Sequence, residues 1–415
     1  MYDKSAIEVF TTPLGLQRYR LPAVYTQLSK HRNISSDTPE FAVHKAVFQN
    51  LLWKSQHEHF MTVKRKKLGL EMNAKRADVT ARQKKKIAEG RNELAQQEID
   101  YAYNVLARAL QQNPAFSWDT LKKYPDYPNP IPKEPSLPTP PDKSSLPREP
   151  KIRDAIFRPK LDAMDRIMRS KREQKEKEAR VHFETAHTQW QQLTQRVQRL
   201  RQEQALQYKK NFHSVKEKYQ QKIEHWNQEK ESYYREREKC TQIIESKKLA
   251  FAEGDPHAII DYFDMVLAFS NYPPLFPQSY DVDFDVENKV LVVDYLLPPL
   301  KALPRLKAVD YDKNSDSFHE SVLSEDERNH RYAQLLHEIP LRTFHEIYEF
   351  DTEKTLTAVQ FRGFLYLQQE AKKGGVPSCI LSIRADRSLF SSIKLSEQNP
   401  LNAFTELGGI IQATE

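Results

Sequence analysis

The chain has 415 residues, more than one ordinary hydrophobic core holds, so at least two structural units are expected. It is polar, with 29% charged residues and a mean hydropathy of −0.76. It has only 9 glycines against 25 prolines, which favours long exposed helices over a β-protein with glycine-rich turns or a dinucleotide-binding enzyme. The sequence has no apolar run long enough to span a membrane and no apolar signal core near Met1, so we expect neither a membrane-spanning nor a secreted protein.

The net charge is +7, from 64 Lys and Arg against 57 Asp and Glu. Nucleic-acid binding depends on local basic density more than on this total. Cys240 and Cys379 lie far apart and lack the paired spacing of a metal site or a disulfide framework. We therefore expect a reducing, cytoplasmic location, with no metal and no cofactor.

Residues 1–38 are a mixed segment, because two prolines and a glycine interrupt any long helix there. Residues 39–113 contain no proline after the first and predict one long basic helix, with a break near Gly69 or Gly90 as the alternative. Residues 114–150 are rich in proline and predict an extended, polyproline-like strap. The strap is interpreted as a semi-rigid spacer, with a docking site for a proline-binding domain as the alternative.

Residues 151–253 predict a long coiled-coil helix. An extra four-residue step near Gln204 is read as a stutter. Aromatic core positions suit antiparallel packing, so we expect an intramolecular hairpin with the helix of residues 39–113; a self-dimerising rod is the alternative. The expected core positions are Phe183, Ala186, Trp190, Leu193, Val197, Leu200, Tyr208, Phe212, Val215, Tyr219, Ile223 and Trp226.

Residues 254–415 predict an α+β domain. Helices are expected at 257–269 and 324–348, the second kinked or split at Pro340. Strands are expected at 282–284, 290–295, 305–311, 355–361 and 379–383, the first two as a hairpin. The predicted fold class is thus α+β, a long α-helical coiled-coil hairpin plus a C-terminal α+β domain with a small, partly antiparallel sheet.

The strongest charge feature is the segment 54–91, which has twelve Lys and Arg against four Asp and Glu. Such a helix can neutralise phosphates without reading sequence. The alternative is a solvated face, or one paired with acids of a neighbouring helix. The candidate nucleic-acid-binding residues are Lys64, Arg65, Lys66, Lys67, Lys75, Arg82, Lys84, Lys85 and Lys86.

No complete catalytic site is found. Glu287-Asn288-Lys289, preceded by Asp281, Asp283 and Asp285, has the final spacing of a metal-dependent nuclease but falls in a predicted turn. His337-Glu338 and His345-Glu346 are eight residues apart and lack the HExxH spacing of a zinc helix. We therefore assign no catalytic residue and no metal ligand.

An ordered series of short motifs runs through residues 110–415. The series is Phe116-Ser117-Trp118-Asp119, Gly254-Asp255-Pro256, Tyr262-Phe263, Tyr272-Pro273, 292–298, Ala302-Leu303-Pro304, 341–346 and 379–383. In this order the motifs resemble the non-catalytic region upstream of the nuclease domain in bacterial Mrr-like restriction endonucleases.

In those relatives a PD-(D/E)xK nuclease domain follows this region. The sequence ends at Glu415, where that domain would begin, and the catalytic acid and Gln-x-Lys of the family have no counterpart. The nuclease activity of the family therefore cannot be carried over to this chain. The nuclease would lie on a partner chain, or the sequence is truncated, or this member lacks it.

Our first hypothesis is an accessory or sensing subunit of a bacterial restriction or antiviral defence system, not catalytic by itself. Its long helices would hold nucleic acid, and its α+β domain would bind an effector protein such as a nuclease or an ATPase. The alternatives are a purely structural coiled-coil scaffold that binds only protein, and an enzyme whose site the motifs do not reveal. Self-association also remains open, and no membrane partner is expected.

Overall fold

The structure, a computed structural model, describes residues 6–74, 76, 79–111, 116–142, 145–161, 168–366 and 375–412. The chain forms two compact units. Residues 1–124 and 237–415 form the first, which contains both sheets of three or more strands. Residues 125–236 form the second. The mixed α+β class is confirmed, whereas the expected coiled-coil hairpin is not.

The amino-terminal segment is an antiparallel sheet in the order β1-β2-β3, which the sequence analysis missed. Pro22 lies in the central strand but beyond the last residue paired with β1, where its missing N–H leaves no gap on that side. Gly15 adopts φ +93° in the turn between the first two strands. The strands are β1 Glu8–Thr11, β2 Gln17–Tyr25 and β3 Lys30–Ser36.

Residues 39–111 form three helices, not one: α1 Pro39–Ala74, α2 Ala81–Tyr103 and α3 Val105–Gln111. The break lies after Ala74, not at Gly69 or Gly90. Thr80 begins α2 with a capping box, because its hydroxyl accepts from Gln83 N and its own N–H donates to Gln83 Oε1. α2 runs back along α1, with Gly90 facing Leu70. We call α1 and α2 together the basic hairpin.

The carboxyl-terminal part holds a five-stranded sheet in the order β10-β9-β8-β5-β4. The expected hairpin of β4 (Tyr280–Asp285) and β5 (Val290–Leu296) is confirmed, and β5 pairs in parallel with β8. The expected strand at 305–311 instead forms a separate two-stranded sheet of β6 and β7. The strands are β4 Tyr280–Asp285, β5 Val290–Leu296, β6 Leu306–Asp312, β7 Ser317–Val322, β8 Ala358–Leu365, β9 Ser378–Asp386 and β10 Ile410–Ile411.

Five further helices complete the described chain: α4 Arg169–Ala252, α5 Pro256–Phe269, α6 Glu325–Phe350, α7 Arg387–Ser392 and α8 Pro400–Glu406. α6 is a single helix that includes Pro340, which does not split it. α5 is almost entirely buried, and Phe263 packs with Phe344 of α6 and Phe361 of β8 in one continuous core of the first unit. This core joins α1, α2 and α3 to the five-stranded sheet.

In the second unit the aromatic stripe of α4 packs against the proline strap rather than against another helix. Trp190 and Trp226 donate their indole N–H groups to the carbonyls of Pro147 and Asn129, each at 2.9 Å. The Tyr219 and Tyr233 hydroxyls likewise donate to the carbonyls of Pro132 and Pro125, and between these two contacts the strap advances 7 residues while α4 advances 14. At about 1.5 Å per helical residue the strap therefore rises about 3.0 Å per residue, close to the 3.1 Å of polyproline II.

The strap also has the three-residue period of polyproline II. Its half-buried face carries a proline at nearly every third position: Pro132, Pro135, Pro138, Pro141, Pro147 and Pro150. Between residues 190 and 244 of α4, successive partly buried positions are on average 3.6 residues apart, which is the period of a straight helix. The four-residue step that was interpreted as a stutter keeps this stripe straight along the helix. Two of the expected core residues, Leu193 and Leu200, are instead 49% and 48% exposed.

Candidate nucleic-acid interface

The basic hairpin places the nine candidate residues in three different situations. Two are paired within the fold: Lys67 donates to Glu98 at 3.2 Å, and Lys84 donates to both carboxylate oxygens of Asp316 at 2.7 Å. Lys75 lies outside the described residues. Six are exposed and have no ion-pair partner within the described ranges: Lys64, Arg65, Lys66, Arg82, Lys85 and Lys86.

Three of the exposed cations share one face of α2. Arg82, Lys85 and Lys86 stand at i, i+3 and i+4, so their side chains leave the helix in the same direction. They occupy the first two turns of the helix, and the first turn contains no acidic residue. The amino end of a helix carries partial positive charge, so the helix dipole adds to the potential of the three cations. The amino end of this face is suited to an anion such as phosphate, and the exposed Glu89 lies further along the same face.

Another side of α2 is attached to the β6–β7 sheet. Lys84 binds Asp316 in the turn between the two strands, and Asp316 also accepts from the Tyr311 hydroxyl at 2.6 Å. Arg91 pairs with Glu320 of β7, and the Arg91 side chain is only 10% exposed. The side-chain oxygen of Asn92 accepts from the backbone N–H of Val309. These contacts cover the side of α2 that carries Lys84 and Arg91.

A groove of about 620 Å³ lies beside the basic hairpin. α1 and α2 form two of its walls, and the proline-rich loop at 273–275 forms the third. The lining is mainly apolar, and Lys64 and Lys67 belong to it. Two of the nine candidate residues therefore border a cavity, which the sequence pattern did not indicate.

The acidic residues near 281–289 do not form a nuclease site. Glu287 and Lys289 lie in the turn between β4 and β5, where Lys289 has φ +53° and Asp285 accepts from the backbone and side chain of Asn288. Asp283 accepts from the N–H of Leu14 at 2.9 Å. These contacts are those of a turn and a sheet edge. Among the residues that the structure describes, no three His, Cys, Asp or Glu side chains approach closely enough to hold a metal ion.

The two His-Glu pairs on α6 have structural contacts. Glu338 accepts from the N–H of Leu106 at the start of α3, and Glu346 pairs with Arg342 at 2.9 Å. The Arg342 guanidinium lies over the Tyr272 ring, 4.1 Å from its centroid. Burial lowers the pKa of His337, whose ring packs on Phe404. Glu338 therefore joins α6 to α3, and Glu346 is paired within α6.

A dense charged cluster is buried in the first unit, and no sequence pattern indicated it. Asp261 of α5 accepts from Lys45 at 3.1 Å and from Lys247 at 2.8 Å, and it also pairs with Arg18. Burial alone would raise the pKa of Asp261, but these three cations hold it far below its usual value. Asp261 is fully buried, so it joins four elements of the fold and is closed to a ligand.

Asp264, one turn further along α5, extends this cluster. It pairs with Arg32 of β3 and lies 2.6 Å from Lys45. Arg32 in turn donates to the Tyr280 hydroxyl at 2.6 Å, and its guanidinium lies over the same ring. No local motif could predict the cluster, because its members come from elements that are distant in sequence.

Lys30 is buried near this cluster but has neutral partners. Its ammonium donates to the side-chain oxygens of Gln56 at 2.7 Å and Gln278 at 2.6 Å. Burial lowers the pKa of Lys30 to about 7. Within the described residues its ammonium has no carboxylate partner to stabilise the charged form, which is consistent with a lysine that loses its proton readily.

Comparison of the chain with protein-family models, with curated proteins and with solved structures found no match. Of the helices in the described ranges, none combines the length and apolarity needed to span a membrane.

Proposed function

We propose that this chain binds nucleic acid with little sequence preference through the basic hairpin. One observation carries the proposal: six exposed cations of the hairpin lack an ion-pair partner within the described residues, and Arg82, Lys85 and Lys86 share one face. Each phosphate that such a cation neutralises releases counterions, which favours binding. Phosphate contacts carry no direct sequence information, so binding would be tolerant of sequence.

The biological setting of the proposal is a bacterial restriction or antiviral defence system in the cytoplasm. The chain would act there as an accessory or sensing subunit that is not catalytic by itself. An effector protein, such as a nuclease or an ATPase, would bind the part formed by residues 254–415. The support is the ordered series of motifs that resembles the upstream region of Mrr-like restriction endonucleases. Genes adjacent to this one that encode neither kind of effector would count against this setting.

A protein scaffold is the second candidate, and it too has an observation in its favour. Lys67, Lys84 and Arg91 of the basic run are paired with acids of the same fold. The remaining cations could then face the acidic surface of a protein partner. The two candidates differ in what binds the face of Arg82, Lys85 and Lys86.

Binding of a fluorescent DNA duplex across a salt series tests the first candidate. We expect dissociation constants in the micromolar range at physiological salt and similar values for unrelated sequences. The affinity should fall steeply as salt rises. Absence of salt-sensitive binding would leave the scaffold as the better account.

A further inference from the structure

The groove beside the basic hairpin is built from matching stripes of two helices. On α1 the lining residues recur at helical spacing and include Phe60, Lys64 and Leu68. On α2 they include Leu94 and Tyr101. Residues spaced three and four apart lie on one helix face, so each helix presents a continuous strip to the groove. The groove is therefore a regular channel between helices.

The channel offers flat apolar surfaces to a ligand. Phe60 and Tyr101 contribute rings, and Leu68 is 54% exposed although it is aliphatic. The Tyr101 ring is held in place, because its hydroxyl donates to Asn271 at 3.3 Å and the Arg108 guanidinium lies 3.7 Å from its centroid. Rings fixed beside aliphatic side chains suit a planar ligand that stacks.

The charges around the channel are unevenly placed. Lys64 is exposed and unpaired within the described residues, whereas Lys67 is neutralised by Glu98. Glu71 also lines the channel, and its carboxylate disfavours a phosphate at that end. A ligand with phosphates would thus place them near Lys64 and the adjoining Arg65, with its apolar parts deeper in the channel.

We propose that this channel receives the unstacked bases of single-stranded nucleic acid while Lys64 contacts the backbone. The inference rests on the proposed function and adds the class of nucleic acid that is bound. Bases of a duplex are stacked and paired, so they cannot enter such a channel, whereas those of a single strand can. The chain should therefore bind a single strand more tightly than a duplex of the same sequence.

The experiment compares two variants of α1 that differ only in whether the changed residue lines the channel. Leu68→Glu places a carboxylate in the lining, and Met72→Glu places one a turn away, where the side chain is 63% exposed and outside the lining. Both variants change the net charge equally, so general electrostatic effects cancel. Binding is measured for a single-stranded oligonucleotide and for the corresponding duplex.

We expect Leu68→Glu to weaken single-strand binding about tenfold more than Met72→Glu does, the loss of about one stacked base. Duplex affinity should be the same for the two variants. A 2-aminopurine base in the single strand should be quenched by the wild type, and Phe60→Leu, which removes the ring, should relieve part of the quenching. The Phe60 side chain is only half-buried, so the Phe60→Leu variant should fold, and circular dichroism checks this.

The possible failures are separable. If the wild type binds single strand and duplex equally and the two variants behave alike, the channel does not take bases, but the basic hairpin still binds nucleic acid. If Leu68→Glu has no effect on either form, the inference likewise fails. If the wild type binds neither form with salt sensitivity, the proposed function fails as well.

Discussion

Lys84 donates to both carboxylate oxygens of Asp316 at 2.7 Å, whereas Lys85, the next residue of α2, is exposed and unpaired within the described residues. Two neighbouring lysines of one basic run thus have different roles. Lys84 attaches α2 to the turn between β6 and β7, and Lys85 faces solvent beside Arg82 and Lys86. The structure therefore provides a matched pair of substitutions within a single helical turn.

Lys84→Gln and Lys85→Gln should have opposite consequences. Loss of the Lys84 pair should lower the free energy of unfolding only slightly, because Asp316 is largely exposed and solvent screens the pair, and it should change nucleic-acid affinity little. Lys85→Gln should leave stability unchanged and weaken binding. Urea unfolding and fluorescence anisotropy measure the two effects. Equal losses of affinity for both variants would contradict the assignment of the open face.

The buried cluster around Asp261 predicts a large loss of stability. Asp261→Asn leaves Arg18, Lys45 and Lys247 without their shared carboxylate, and breaking a buried pair costs about 3–5 kcal/mol. Asp294→Asn is the control, because its partner Arg362 is 40% exposed, and it should cost less than about 1 kcal/mol. Urea unfolding compares them. Similar midpoints for the two variants would show that the cluster does not hold the elements together.

Lys30 predicts a specific pH dependence of stability. Its pKa is about 7 in the folded chain and near the ordinary 10.5 when unfolded, so between these values the unfolded chain binds more protons. The free energy of unfolding should therefore rise with pH across this window, by up to about 1.4 kcal/mol per pH unit. The contribution of Lys30 to stability should be lowest below pH 7.

Lys30→Met serves as the reference, because it removes the titrating group and retains the apolar stem. The difference in unfolding free energy between the wild type and this variant should grow in favour of the wild type from about pH 7 to about pH 9. Other titrating groups cancel in the difference. A difference that stays constant over this range would mean that Lys30 keeps its proton in the fold.

The strap predicts a proteolysis result within the second unit. The double variant Trp190→Ala with Trp226→Ala deletes the two indole hydrogen bonds to the strap carbonyls. Protease cleavage between residues 125 and 150 should become faster, because loosened backbone is cut more readily. Leu193→Ala with Leu200→Ala, on the exposed flank of the same helix, should leave the rate unchanged. Equal acceleration by both double variants would count against the packing.

Local patterns sufficed for much of the carboxyl-terminal part. The β4–β5 hairpin, α5 and the capping box that begins α6 at Ser324 were predicted, because alternation, turn residues and caps act over a few residues. The Thr80-x-x-Gln83 capping box was an equally clear signal for the start of α2. It was overlooked because the long stretch without proline favoured one continuous helix.

The strap also carried a readable signal. A proline at nearly every third position from Pro132 to Pro150 matches the period of polyproline II, and the aromatic stripe on α4 supplied rings and N–H donors for it. That stripe was predicted to pack against a partner helix. The prediction was wrong because coiled-coil spacing shows that a stripe is covered but does not identify the element that covers it. The Asp261 cluster and the channel depend on tertiary contacts between distant elements, and so no local pattern could predict them.

The central claim is that unpaired cations of the basic hairpin bind phosphates, and the salt dependence of duplex binding tests it most directly. For the wild type, the logarithm of the association constant should fall with the logarithm of the salt concentration with a slope of about −3 to −5. This slope corresponds to three to six neutralised phosphates. Changing Arg82, Lys85 and Lys86 to Glu should weaken binding and make the slope less negative by about 2.7, because three phosphate contacts are lost. The control changes three exposed lysines of α4, Lys209, Lys210 and Lys216, to Glu and so alters the net charge equally. It should keep the wild-type slope, whereas a flat wild-type salt response, or equal losses in both triple variants, would contradict the claim.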